Sequence, residues 1–331
     1  MTPTLKQIAD IAGVSYQTVW RAMHGRGRIA ESTRQKIMKI AGELDYRTNR
    51  LAAGLRTKKS YAVGLLLIDV SNNYTGRLAR AIEKRLTAAG YFVILLNTDE
   101  KVEIEIMLLR SLVDRQIDGL IISPADDSNY YLNDLIAKGF PVVAINKPVT
   151  GIDYLSITSA NAQAGREALE YFYKKGHTKV GGVFGPLTSR PFHDRMEGFI
   201  QAAAEFGMTV RNEWLHSGAN LTETGYNAVQ ALFSGNDRPT GLFCTSYRLT
   251  EGALQSAIDL GISRETDLEV VGFDLNYSRF LSPPIAVMRQ QVEQLAENAV
   301  SSLIQMLEGN PHPQLSPPPI LLDIPSELER T

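Results

Sequence analysis

The residues with the most evident chemistry lie together near the start of the chain, where Tyr16, Gln17, Thr18 and Arg21 carry hydrogen-bonding groups. A carboxamide such as that of Gln17 can form two hydrogen bonds to the edge of adenine, and a guanidinium such as that of Arg21 can do so to guanine. Each such pair is worth about 1–3 kcal/mol of discrimination between bases. The segment is therefore a candidate for reading base edges.

Two short helices are predicted to position this segment. Apolar residues at helical spacing from Leu5 to Ala12 predict the first helix, and Tyr16–Met23 forms the second. Between them, Gly13 permits a tight bend and Ser15 can cap the helix that follows. Such a pair is typical of a helix-turn-helix, whose second helix enters the DNA major groove. The alternative is an ordinary helical hairpin within a packed domain.

The distribution of charge favours a nucleic-acid partner for the N-terminal part. The chain of 331 residues is almost neutral, with 34 basic and 36 acidic side chains. Residues 1–59 hold 12 basic and four acidic residues, so the other 272 residues hold 22 basic and 32 acidic ones. A basic head on an acidic body predicts that phosphate binding is confined to the head.

A third helix completes the predicted head, and a hinge segment follows it. A helix over Ser32–Leu44 supplies a third apolar stripe, and the segment Asn49–Arg56 can form about two helical turns. Gly54 costs that segment roughly 1 kcal/mol relative to alanine, and a helix this short is unstable alone in water. We expect a hinge that folds only when a partner holds it.

From Ala62 onward, short apolar runs alternate with amphipathic helices. This pattern predicts parallel sheets covered on both faces, and it continues for too long to form one sheet. Two similar α/β lobes with a binding cleft between them are therefore expected. The predicted helices lie near 74–89, 103–115, 130–138, 162–175, 193–206 and 291–308, and a last strand lies at 320–324.

Several classes of protein are disfavoured by what the sequence lacks. It contains no Walker loop, no G-x-S-x-G and no H-E-x-x-H, and its histidines show no ligand spacing, so neither an enzyme, a cofactor nor a metal site is expected. Cys244 is the single cysteine, which fits a reducing, cytoplasmic setting. No signal peptide or membrane span is expected.

The head and several strings in the body resemble the lac repressor family of bacterial transcription regulators. The head string LKQIADIAGVSYQTV is similar to the family's DNA-binding signature, and the body strings GLIISPA, GHTKVGGVFGP, RMEGF, VVGFD and MRQ fall where the family has similar ones. The resemblance covers the whole chain. It implies a three-helix head, a hinge helix and a two-lobed body like that of a periplasmic sugar-binding protein.

In the head, the resemblance implies contacts with operator DNA. Tyr16, Gln17 and Arg21 match positions that contact bases, and Leu55 matches a leucine that wedges into the minor groove and kinks the DNA. Leu55 could instead pack on the core of the body. The other candidate DNA-binding residues, which contact phosphates or support the fold, are Thr4, Leu5, Ser15, Thr18, Trp20, Asn49 and Ala52.

Some head positions depart from the family pattern. Trp20 stands where the family usually has a serine, so operator choice is expected to transfer less well than the fold. Thr48 replaces a common proline before the hinge, and Ala30 replaces a capping serine before the third helix.

In the body, the resemblance implies a ligand site between the lobes. Arg195 matches an arginine that binds ligand hydroxyls or a carboxylate, Asp274 matches an aspartate in the cleft, and Gln290 a glutamine at the lobe crossover. The family's sugar-binding set is only partly kept, because Ala160 occupies a position where the family often has an aspartate and Asn220 stands near the position of the usual stacking aromatic residue. The remaining candidate ligand-binding residues, each of which could instead be core or rim, are Asn72, Tyr74, Phe192 and Tyr247.

These observations predict a head at 1–47, a hinge and linker at 48–60, and a ligand-binding and dimerisation domain at 61–331. Its lobes are expected to comprise 61–160 with 291–319, and 161–290 with 320–331. No leucine heptads follow the body, which favours a homodimer over a tetramer.

The predicted function is that of a repressor that binds a near-palindromic operator as a dimer. A small effector in the cleft, a sugar or related polar metabolite, is expected to control it. The alternative is a regulator with a degenerate or non-sugar effector site, or an activator. A sugar transport protein and a doubly wound enzyme are rival classes. The basic head and missing signal peptide disfavour the first, and the absent catalytic motifs disfavour the second.

Overall fold

A computed structural model gives the structure of the chain. It describes residues 3–23, 27–44, 46, 59–126, 129–148, 155–275, 281 and 285–309, and the backbone of 321–324 and 327–329. The chain divides into two compact units, residues 1–60 and 61–331. Each unit is considered by itself.

The first unit is a three-helix head built from α1 (Leu5–Ala12), α2 (Tyr16–Met23) and α3 (Glu31–Glu43). Its core contains one fully buried side chain from each helix, namely Ile8, Val19 and Ile37. The predicted helices are confirmed, with α3 starting and ending one residue before the expected range. Because α1 and α2 have 8 residues each and α3 has 13, all three helices are short and their stability depends on this shared core.

Local hydrogen bonds fix where the helices of the head begin and end. Thr4 and Gln7 form a capping box at the start of α1, and Gly13 ends that helix with a left-handed φ of 68°. The Ser15 Oγ accepts a hydrogen bond from the Thr18 backbone N–H at 3.1 Å, as the turn chemistry predicts. Ala30, by contrast, supplies no side-chain cap to α3.

The second unit contains two six-stranded sheets, each the centre of one lobe. The first sheet has the spatial order β11-β5-β4-β3-β1-β2, and the second has the order β12-β10-β9-β8-β6-β7. All neighbouring strands are parallel except β10 and β12. The first sheet comprises β1 (Ala62–Leu67), β2 (Phe92–Asn97), β3 (Gly119–Ile122), β4 (Val142–Ile145), β5 (Ser156–Ser159) and β11 (Leu321–Ile324). The second comprises β6 (Val180–Phe184), β7 (Leu215–Ser217), β8 (Gly241–Cys244), β9 (Glu269–Phe273), β10 (Ala286–Arg289) and β12 (Glu327–Glu329).

Helices cover both sheets, so the central strands are buried along their length, as parallel sheets require. The first lobe carries α4 (Asn73–Ala88), α5 (Val102–Asp114), α6 (Tyr130–Ala137) and α11 (Val292–Leu307). The second lobe carries α7 (Asn161–Lys174), α8 (Arg190–Glu205), α9 (Thr222–Phe233), α10 (Tyr247–Asp259) and a short 3-10 helix, Asn212–Trp214. The predicted α/β architecture is confirmed.

The placement of the last strand differs from the expectation. Residues 320–331 were expected in the second lobe, but β11 pairs with β5 in the first sheet, and only β12 joins the second. The apolar run of β11 completes the free edge of β5, a pairing that the alternation of elements along the chain does not reveal. The strands β7, β10 and β12 were not predicted, and β7 and β12 have only three residues, too few to carry a periodic pattern.

Two close helix crossings shape the second lobe. A Cβ on Gly198 of α8 would lie 1.9 Å from the carbonyl oxygen of Ala162, and one on Gly165 of α7 would lie 2.1 Å from that of Arg195. The glycines Gly225 and Gly252 make the same reciprocal approach between α9 and α10. Both crossings need glycine because the backbones touch, and they hold each pair of helices in close contact.

Candidate functional site

The second helix of the head presents its polar residues to solvent. Tyr16 is 53% exposed, Gln17 and Arg21 are exposed, and the neighbouring Val19 and Ala22 are buried in the head core. The side chains that face outward are therefore those able to read base edges. This face has the chemistry of a DNA-reading surface.

The other predicted DNA-binding residues support this face in different ways. Thr4 and Ser15 are exposed cap residues, and the Ser15 Oγ also lies 2.8 Å from the Thr18 Oγ1. Leu5 packs against the head core, and Trp20 is half-buried. Asn49, Ala52 and Leu55 lie outside the described residues.

In the body, the carboxyl ends of strands from both lobes face one cavity, the position where ligands bind in open α/β sheets. Its volume is about 100 Å³, small beside the roughly 300–1,000 Å³ typical of ligand pockets. The structure brings all eight predicted ligand-binding residues to this cavity, namely Asn72, Tyr74, Phe192, Arg195, Asn220, Tyr247, Asp274 and Gln290.

Arg195 is a buried cation held in a fixed orientation. Its Nε donates to the Asn161 Oδ1 at 2.9 Å and its Nη1 to the Thr245 carbonyl oxygen at 2.6 Å, while its guanidinium carbon lies 3.7 Å from the centre of the Phe273 ring. Burial lowers the pKa of Arg195 to about 10, and the charge of Asp274 opposes that shift. The group therefore remains a preorganised hydrogen-bond donor at neutral pH.

Asp274 supplies the corresponding acceptor. Its carboxylate accepts hydrogen bonds from the Gln290 backbone N–H at 3.1 Å and from the Gln290 Nε2 at 2.7 Å. Burial raises the pKa of Asp274, although these hydrogen bonds and the nearby Arg195 act in the opposite direction. Its backbone has a φ of 52°, a left-handed conformation that aspartate tolerates better than most residues.

Gln290 also connects the lobes, because its Oε1 accepts a hydrogen bond from the Ser159 Oγ at 2.7 Å. Ser159 ends β5 and Gln290 follows β10, so this contact lies where the chain passes between the two sheets. A ligand that touches Asp274 and Gln290 therefore touches the connection between the lobes.

The aromatic and amide side chains of the cavity are also tied into networks. The Tyr74 hydroxyl donates to the Asn146 Oδ1 at 2.5 Å, and the Asn146 Nδ2 donates to the Ser123 Oγ at 3.2 Å. Burial raises the pKa of Tyr74, so its hydroxyl stays protonated. On the second lobe, the Ser246 Oγ donates to the Asn220 Oδ1 at 2.5 Å.

Sequence reasoning missed several residues that line the cavity. Asn146 follows β4, and Asn161 opens α7 after β5. Their position directly after a buried strand was the available signal, because such ends meet at the cleft. Others that line the cavity without having been predicted are Ile68, Thr75, Glu100, Lys147, Ser189, Pro191, Ser246 and Phe273.

The polar arrangement suits recognition of a ligand rather than covalent chemistry. Cys244 is fully buried, and burial raises the pKa of its thiol. A buried thiol of this kind is unreactive as a nucleophile.

Within the described residues, no helix is both long and apolar enough to cross a membrane.

The head and the body each match a known protein family. Residues 60–320 match the family described as periplasmic binding proteins and sugar binding domain of LacI family. Residues 4–49 match the bacterial regulatory proteins of the lacI family.

Individual relatives extend the likeness over most of the chain. Catabolite control protein A of Priestia megaterium is 31% identical over 275 residues, which are 83% of this chain and 83% of that protein. The HTH-type transcriptional repressor PurR of Vibrio vulnificus is 27% identical over 312 residues, 93% of each chain.

The fold is shared with a solved repressor complex. The crystal structure of the lac repressor dimer bound to operator and an anti-inducer matches with a TM-score of 0.87 at 22% identity, covering 100% of this chain and 98% of that one. The chain therefore belongs to the LacI family: it is a non-enzymatic, DNA-binding transcription regulator with a helix-turn-helix head and a body like that of the periplasmic binding proteins.

Proposed function

We propose that this regulator is a repressor that binds a near-palindromic operator as a dimer and is controlled by a small polar effector in the interlobe cavity. The observation that carries the proposal is the pairing of an exposed base-reading face on α2 with a preorganised Arg195–Asp274 cavity. Relatives named as repressors, PurR among them, support it. Because operator DNA of bacteria lies in the cytoplasm, we place the protein there.

In the head, we assign base contacts to Tyr16, Gln17 and Arg21, whose side chains face outward from a capped helix. The supporting and phosphate-contacting residues are Thr4, Leu5, Ser15, Thr18 and Trp20. We assign the hinge function to residues 48–60, with contacts from Asn49 and Ala52 and a minor-groove wedge from Leu55.

Gln17 provides the first test of this assignment. A DNA duplex selected from a random library by the full-length protein serves as the operator. Replacing Gln17 by alanine is expected to weaken discrimination at one base pair by about 5–150-fold, the range given by 1–3 kcal/mol for a bidentate base contact. Gel-shift titration of the operator and its single-base variants measures the change.

The matched control is Gln35→Ala, which removes the same group from an exposed position on α3. It is expected to leave both affinity and base preference unchanged. Undiminished discrimination in Gln17→Ala would refute the role assigned to that residue.

In the body, we propose that Arg195 and Asp274 grip an oxygen-rich effector. A fixed guanidinium donates to ligand oxygens, and a buried carboxylate accepts from ligand hydroxyls, so the pair fits a polyol or sugar. A non-sugar polar metabolite is the second candidate, because Asn220 offers no stacking face at the position where the family usually has an aromatic side chain.

We propose that effector and operator communicate by linkage. An effector held by Asp274 and Gln290 contacts the connection between the lobes, so we expect it to favour one arrangement of the lobes over another. If the hinge forms in only one arrangement, the affinities for effector and operator depend on each other.

The first lobe offers a surface for a second copy. β2 ends the first sheet as described, and its Phe92 and Leu95 are 66% and 46% exposed. An exposed apolar edge strand is a surface that proteins usually cover. We propose that a second chain covers it, consistent with the dimer seen for the lac repressor.

Leu95→Glu is expected to separate this dimer. A two-fold interface buries the same surface of both copies, so the change places two charged side chains in one apolar interface. Self-association should weaken by about 100-fold or more, which sedimentation velocity measures. Ile200→Glu, at a 38% exposed position on α8, is the control and should stay dimeric. A Leu95→Glu protein that still sediments as a dimer would contradict the assignment.

A further inference from the structure

An ion pair joins the two lobes at the edge of the cavity. The Arg248 Nη2 of the second lobe lies 2.7 Å from the Asp69 Oδ2 of the first lobe, and both side chains are about 30% exposed. The Arg248 Nε also donates to the Tyr247 hydroxyl at 2.9 Å. Since Tyr247 lines the cavity, the pair connects directly to the surface that would touch a ligand.

The pair lies away from the places where the chain crosses between the lobes. The crossings follow β5, β10 and β11, and β5 and β11 lie side by side in the first sheet. Asp69 follows β1, which is three strand spacings from β5, or about 14 Å. The hydrogen bond from Ser159 to Gln290 therefore holds the lobes on the crossing side, and Asp69–Arg248 holds them at a distance from it.

Both partners are arranged for this contact. The Asp69 Oδ1 accepts hydrogen bonds from the Ser71 backbone N–H at 3.0 Å and from the Ser71 Oγ at 2.5 Å, which orients Oδ2 toward Arg248. Arg248 occupies the first turn of α10, where the helix dipole disfavours a positive charge. Its position is therefore not explained by the stability of its own helix, and Asp69 offsets the unfavourable placement.

The cavity is too small for a ligand of ordinary size to enter while the lobes keep this arrangement. We propose that the Asp69–Arg248 pair is a latch that holds the cleft closed and must break for a ligand to enter or leave. The proposal relies on the proposed function only in treating the cavity as the effector site. The latch itself is testable without effector or DNA.

The test measures the distance between the lobes in the full-length protein. Spin labels are attached at Tyr130→Cys on α6 and His193→Cys on α8, both exposed positions, and labelled protein is diluted with unlabelled protein. Buried Cys244 does not compete for label. Electron–electron double resonance then gives the distribution of distances in the latch-intact parent, Asp69→Asn, Arg248→Met and the charge swap Asp69→Arg/Arg248→Asp.

Each single variant is expected to raise the ratio of long-distance to short-distance populations about five-fold, which corresponds to about 1 kcal/mol for this partly exposed pair. The charge swap should return the distribution toward that of the parent. Lys138→Met, which removes a 2.6 Å pair with Asp134 inside α6, is the control and should leave it unchanged.

Three outcomes would overturn the latch. The first is an unchanged distribution in both single variants while circular dichroism shows that they are folded. The second is a charge-swap protein whose long-distance population is as large as that of the single variants. That result would mean that the pairing of opposite charges does not hold the lobes together. The third is an equal shift in Lys138→Met. These distances are measured without effector or DNA. The latch can therefore be confirmed even if no effector binds the cavity, and it can fail even if one does.

Discussion

Replacing Gly198 by alanine is expected to destabilise the body by about 3 kcal/mol or more, the upper range for overpacking a buried contact. In an unobstructed helix the same change stabilises by about 1 kcal/mol. The sign reverses here because the added Cβ would lie 1.9 Å from the Ala162 carbonyl oxygen, so α7 and α8 must separate. The added Cβ is fixed to the backbone of α8 and the oxygen belongs to the backbone of α7, so neither can rotate away as the end of a side chain can.

The damage should reach the candidate site. Asn161 and Arg195, which stand on α7 and α8, share a 2.9 Å hydrogen bond close to this crossing. Urea denaturation followed by circular dichroism measures the loss of stability. Gly42→Ala, in α3 where nothing lies within 4 Å of the added Cβ, is the control and should not destabilise the head. An unchanged midpoint for Gly198→Ala would show that the crossing is looser than described.

Replacing Asp274 by asparagine is expected to weaken effector binding by about 100-fold or more, because a charged acceptor is lost from a buried site. A thermal-shift screen of sugars, sugar phosphates and nucleobases first identifies compounds that stabilise the unaltered protein. A ligand at 100 times its Kd stabilises by about 2.7 kcal/mol. In Asp274→Asn at the same concentration, a 100-fold weaker affinity leaves about 0.4 kcal/mol of that stabilisation, so the thermal shift should nearly disappear.

The electrostatics of Asp274 help to separate a binding defect from a folding defect. Because burial raises its pKa, its contribution to stability is fully present at acid pH, below the ordinary aspartate pKa. That contribution is lost as the pH rises through the raised pKa, so the ionised carboxylate opposes folding at neutral pH. The ligand-free Asp274→Asn protein is therefore expected to be at least as stable as the parent.

Asp194→Asn is the matched control for this prediction. Asp194 adjoins Arg195 on α8 but pairs with Arg190 at 2.7 Å. Its substitution should preserve the thermal shift. An unchanged shift in Asp274→Asn would remove that residue from the site.

The sequence predicts best what local chemistry determines. The helices of the head follow from apolar spacing, from Gly13 with its left-handed backbone and from Ser15 as a cap, and all three features are present. The alternation of apolar runs and helices likewise predicts two parallel α/β lobes, because a strand buried on both faces reads as a continuous apolar run.

What the sequence could not predict depends on pairing between distant segments. The choice of β5 as the partner of β11 is decided by an open sheet edge, not by the residues of β11. The contact between Asp69 and Arg248 joins residues 179 positions apart, and neither stands out from other charged residues in sequence. Asn146 could have been proposed from its position after a buried strand, but its contacts with Tyr74 and Ser123 depend on distant segments and could not.

The central claim is that the head gives this regulator its preference for operator DNA. The most direct measurement compares the full-length protein with a chain of residues 61–331 on the selected operator, in the presence of excess random-sequence DNA. Full-length protein should prefer the operator by at least about 10³-fold, as specific regulators do, and the shortened chain should show no preference. Operator preference retained without the head, or none in the full-length protein, would contradict the account.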